Sequence, residues 1–90
     1  MATLTSEDFT RIRGIVAGNA AKKSIFKALN LSKATWYTVF QAQEDWEVNG
    51  HNTQPTESRD AALETAAGKT LTNAQGTAIF ETWVAWRFTI

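Results

Sequence analysis

Residues 25–40, IFKALNLSKATWYTVF, constrain this chain more than any other stretch, because helical spacing is interrupted there once and resumes at once. Ile25 and Leu29 lie one turn apart and share a helix face. Asn30 follows them, a residue that tolerates the left-handed backbone with which many helices end. Leu31 then plugs the angle, and Ser32 supplies a hydroxyl suited to cap a new helix. Trp36 and Val39 return to the buried side. This order of residue types predicts two helices joined by a tight turn at a steep crossing, with the second projecting outward.

The rest of the chain also reads as helix. Thr5 or Ser6 starts a helix that carries Phe9, Ile12, Ile15 and Val16 on one side, with Glu7 and Asp8 at its positive end. Gly14 and Gly18 weaken its end, and Gly18 with Asn19 breaks it. From Ala20 to Leu29 the expected apolar face is Ala21, Ile25, Ala28 and Leu29, with Lys22, Lys23 and Lys27 outside it. A third helix runs from Lys33 to about Val48, with Trp36, Val39, Phe40, Gln43 and Trp46 along one broad side. Residues 49–55 are polar, hold the only proline and read as a loop. Thr56 or Ser58 caps a helix through Ala67, ended by Gly68, with Ala61, Leu63, Ala66 and Ala67 as a weakly apolar set. Thr72 with Gln75 reads as a capping box for a last helix bearing Ile79, Phe80, Trp83, Val84 and Trp86. Val84, Trp86, Phe88 and Ile90 alternate, which leaves a short C-terminal strand open as the alternative. The expectation is one all-α domain, 1–90, of four to five short helices. Its helix-turn-helix core is 6–48, and 56–90 is a helical packing and oligomerisation segment.

Ninety residues suffice for one small core. No cysteine is present, so disulfides, thiolate metal sites and a thiol nucleophile are excluded together. Packing must then supply the stability, and four Trp and five Phe are the material for it. No apolar run reaches the length of a membrane span, and the first residues, MATLTSEDF, lack the basic and apolar regions of a signal peptide. The expected setting is the cytoplasm of a bacterial host cell. Net charge is zero, but it is segregated. Residues 1–41 hold six basic and two acidic side chains, and residues 42–90 hold three basic and seven acidic ones. A basic half of this kind can neutralise phosphates, although a dipolar surface without a role has the same composition.

The run from Ile25 to Thr38 resembles the helix-turn-helix of resolvases, invertases and small phage or bacterial regulators, in which an I-A-K-A-L-G-I-S-R-S-T-V-Y-R pattern recurs. The resemblance covers about a sixth of the chain, or about half with the preceding helix. It departs at Phe26, where the family has a small residue, at Asn30, where it has Gly, and at Thr38, where it often has Arg. Phe26 implies a widened helix crossing or a rotated register. The resemblance implies a non-enzymatic protein that binds double-stranded DNA, with the third helix in the major groove. Ser32 and Lys33 then suit phosphate, Gln41 suits adenine, Ala34 suits a thymine methyl, and Tyr37 and Thr38 take either role. Lys22, Lys23 and Lys27 flank the backbone. A transcriptional regulator and a packaging subunit of small-terminase type both fit. The alternative is an all-helical structural or interaction protein, such as a virion adaptor or an inhibitor of a host enzyme, working through its acidic half.

Other candidates carry less. Gly68-Lys69-Thr70 ends like a phosphate-binding loop, but Leu63 stands where that loop needs its first glycine. His51 has no neighbours at ligand spacing, so no metal and no cofactor are expected. Asn30, Leu31 and Ser32 match the N-glycosylation pattern, but in the expected turn of an intracellular chain. Glu44, Asp45 and Glu47, and Asp60 with Glu64, read as solvated carboxylates with no pocket implied. Trp83 and Trp86 make the last helix apolar over a wide arc, so it is either the centre of the core or an interface joining copies through residues 77–90.

Overall fold

The computed structural model describes residues 4–50 and 59–88, and every regular element among them is helical. Thr5 opens α1, Ser6–Ala17, with a reciprocal cap: its hydroxyl accepts from the Asp8 amide while the Asp8 carboxylate accepts from the Thr5 amide. Such a cap stabilises a helix by about 1 kcal/mol. The chain breaks at Gly18, and Asn19 caps α2, Ala20–Leu29, by accepting from the Lys22 amide. Asn30 ends α2 in the left-handed region at φ 52°, and Ser32 accepts from the Thr35 amide to start α3, Lys33–Asp45. α3 runs on into a π-helical turn, Trp46–Gly50, which takes in the first two residues of the expected loop. α4, Arg59–Ala67, ends at Gly68, whose φ of +74° suits glycine. Thr72 and Gln75 cap each other to open α5, Asn73–Arg87, so residues 84–87 are helix and not strand. The rest of the expected loop, the caps expected at Thr56 or Ser58, and residues 89–90 lie outside the described residues.

Ile12 of α1, Val39 of α3, Leu63 of α4 and Ile79 of α5 are fully buried, so four helices converge on one core. Burying a side chain of this size contributes roughly 1.5–3 kcal/mol. α3 lies closest along α4, whereas α5 packs on α1, α2 and α3. Trp83 and Trp86 are buried in that core, so the wide aromatic arc of α5 is satisfied within the chain.

Two expectations about helix faces are corrected. α2 turns Lys22, Ile25, Phe26 and Leu29 inward, and Ala21 and Ala28 are exposed. The large Phe26 ring outweighs the two small alanines in setting which side is buried. Glu44 is not solvated: it is 1% exposed, and its Oε1 accepts from the Trp83 indole at 2.8 Å and lies 3.8 Å from Arg87 Nε. Gln43 is buried beside it and donates to Glu47 at 2.9 Å. The carboxylates after Phe40 therefore tie α3 to α5 and to the π turn.

Candidate nucleic-acid interface

The turn between α2 and α3 has the local chemistry that its residues dictate. Asn30 takes the left-handed conformation, Leu31 is half-buried beneath it, and Ser32 binds both the amide and the hydroxyl of Thr35. Above the turn, aromatic side chains lie between α2 and α3. Phe26 is 6% exposed and sets its ring 4.7 Å from Trp36 and 6.2 Å from Phe40, centroid to centroid. Aromatic rings, rather than close backbones, fill the space between α2 and α3. Phe26 thus sits on the buried side of α2, with Ala21 and Ala28 exposed.

Of the nine expected DNA-facing residues, Lys23, Lys27, Ser32, Lys33, Ala34 and Thr38 are exposed. Lys23, Lys27 and Lys33 form no ion pair among the described residues, and neither does Arg13 of α1, whose guanidinium sits 6.0 Å from the Phe9 ring centre. Thr38 donates its hydroxyl to the Ala34 carbonyl at 3.1 Å and keeps an acceptor face outward.

The other three are placed differently. Lys22 is drawn to Glu81 of α5 at 3.4 Å. Tyr37 turns toward α1, edge-on to Phe9, and donates to the Leu4 carbonyl. Gln41 accepts from the Leu4 amide at 2.7 Å and donates to Asp45 at 2.7 Å. Leu4 is buried, so its backbone groups need these partners, and α3 supplies both from residues one turn apart. Of the expected outward residues of α3 and its cap, Ser32, Lys33, Ala34 and Thr38 remain outward, a shorter face than spacing alone suggests.

A cleft of about 310 Å³ adjoins this face. Its walls are Phe9, Ile12 and Val16 of α1, Phe26 of α2, Leu31 of the turn, and Trp36 and Phe40 of α3, and Arg13, Lys23 and Lys33 also line it. These side chains read as core or as solvated charge along the sequence. The signal for Arg13 was its place one turn from Phe9 and Val16, which puts a cation beside an apolar stripe. Lys69, the residue of the rejected phosphate loop, donates to the Leu29 carbonyl at 2.8 Å and so closes the end of α2.

Among the described residues no group of acidic and histidine side chains could hold a metal ion, and no helix is long and apolar enough to cross a membrane. The chain matches no family model, no curated protein and no solved structure among those compared with it.

Proposed function

We propose that this chain is a non-enzymatic DNA-binding protein that docks the α2–turn–α3 edge on duplex DNA. The observation that carries the reading is the exposed start of α3, Ser32 to Ala34, together with the exposed Lys23, Lys27 and Lys33, none of which is in an ion pair among the described residues. In this reading Lys33, at the positive end of α3, and the two α2 lysines contact phosphates. Ala34 and Thr38 are the residues left to meet base edges, so sequence discrimination rests on a thymine methyl and one hydroxyl acceptor. Such a face binds chiefly through the backbone and discriminates weakly, which suits either a regulator or a packaging subunit that works as several copies. Phe88, 74% exposed after α5, is a large apolar side chain available there for self-association. The alternative, an interaction protein using its acidic half, has less to work with: Glu44 is buried, and Asp45 and Glu47 are bound to Gln41 and Gln43.

The test is a fluorescence-anisotropy titration of a mixed-sequence duplex about two helical turns long. The wild type should bind at low salt, and the triple variant Lys23→Gln, Lys27→Gln, Lys33→Gln should lose most of that affinity with its fold retained. Absence of wild-type binding at low salt overturns the reading.

A further inference from the structure

The apolar walls of the cleft between α1, α2 and α3 have no part in phosphate contacts along a duplex, and their chemistry points elsewhere. Its floor and walls are apolar and aromatic, with Trp36 and Phe40 rings 5.9 Å apart beside Phe26. Three cations, Arg13, Lys23 and Lys33, come to it from three different helices, and no carboxylate among the described residues lines it. We propose that this cleft binds a small amphipathic anion, with a hydrocarbon or aromatic body against Phe9, Ile12, Phe26 and Trp36 and a carboxylate or phosphate head among the three cations.

The size of the site selects a small molecule over a macromolecule. A volume of about 310 Å³ falls at the lower end of the roughly 300–1,000 Å³ of small-ligand pockets. A stable protein partner needs about 800 Å² on each side around an apolar centre. Here the apolar surface ends at the cleft mouth: the large apolar side chains exposed among the described residues are Val48 and Phe88, and neither lines it. Charge selects the head group. Arg13 supplies a planar fork of donors, and the two lysines add point charges that make no ion pair among the described residues. Phe26 stands in the wall of the site between α2 and α3, its ring 4.7 Å from that of Trp36. The inference stands apart from DNA binding, although Lys23 and Lys33 belong to both faces.

The probe is decanoate below its micelle-forming concentration, titrated into the wild-type chain without DNA and followed by amide chemical shifts and Trp fluorescence. Saturable binding is expected, with shifts concentrated on residues 9–17, 23–26 and 31–40. Decylamine, of equal length and opposite charge, should bind at least tenfold more weakly. Arg13→Gln with Lys33→Gln should weaken decanoate at least tenfold while leaving the affinity for uncharged decanol within about twofold. Equal binding of decylamine, or shifts centred on Val48 or Phe88, overturns the proposal. So does a cleft that takes an acidic amphipathic peptide but not decanoate. Because no DNA is present, failure here and failure of the DNA titration are separate results.

Discussion

Tyr37 sets its ring edge-on to Phe9 and donates its hydroxyl to the Leu4 carbonyl, so the side chain anchors the start of α1 to α3. Tyr37→Phe removes that donor and should destabilise the fold by about 1 kcal/mol, whereas Tyr37→Ala also removes the ring and should cost about 3 kcal/mol. Urea midpoints at constant m-value separate the two. Lys33→Ala, at an exposed position, should shift stability by less than about 0.5 kcal/mol. At Asn30 the left-handed backbone predicts that Asn30→Ala destabilises by about 1 kcal/mol, while Asn30→Gly leaves the midpoint nearly unchanged. Single residues with one dominant preference were the most legible part of the sequence. Thr5, Ser32 and Thr72 cap where their spacing says they should, since capping depends only on neighbours three residues away. Tyr37 and Gln41 were not legible as inward residues. What turns them is the buried Leu4 backbone, thirty-three and thirty-seven positions away, which local spacing does not contain.

The helices themselves show which periodic signals suffice. α1 and α5 follow their apolar repeats, because each repeat combines large residues at consistent spacing. α2 does not follow the repeat drawn through Ala21 and Ala28, because one phenylalanine contributes more burial than two alanines. Phe26→Ala should therefore destabilise by about 3–5 kcal/mol and let α2 approach α3, which amide exchange and urea unfolding would report. The third helix starts at Lys33 as expected, but it is α-helical only to Asp45 and continues as a π turn to Gly50 rather than running on as α-helix to Val48. Its acidic end reads as solvated, yet the indole of Trp83 finds Glu44 across the core. Glu44→Ala would leave that buried N–H without its acceptor and should cost about 2 kcal/mol, against less than half of that for Glu44→Gln, which keeps an acceptor oxygen. Thermal unfolding of the two variants side by side checks the difference.

Across the whole molecule, zero net charge conceals a division that the fold preserves in part. Among the described residues, acidic groups of the second half are bound internally or to lysine and arginine, as Glu44 is to Trp83 and Glu81 is to Lys22. Of the first-half cations, Arg13, Lys23, Lys27 and Lys33 stay outward, three of them at the cleft. The cleft could not be read along the chain, because it exists only where α1, α2 and α3 fail to close around Phe26. If Lys23 and Lys33 serve both faces, saturating decanoate should weaken DNA binding several-fold, and decanol should not. The most direct test of the central claim is the salt dependence of binding to mixed-sequence duplex DNA, measured from about 50 to about 200 mM salt for the wild type and the triple lysine variant. Counterion release predicts a steep fall in wild-type affinity and a log–log slope shallower in the variant by about 0.9 for each lysine removed. Equal slopes for the two proteins, or no binding at the lowest salt, would contradict the assignment of Lys23, Lys27 and Lys33 to phosphate and with it the DNA-binding function.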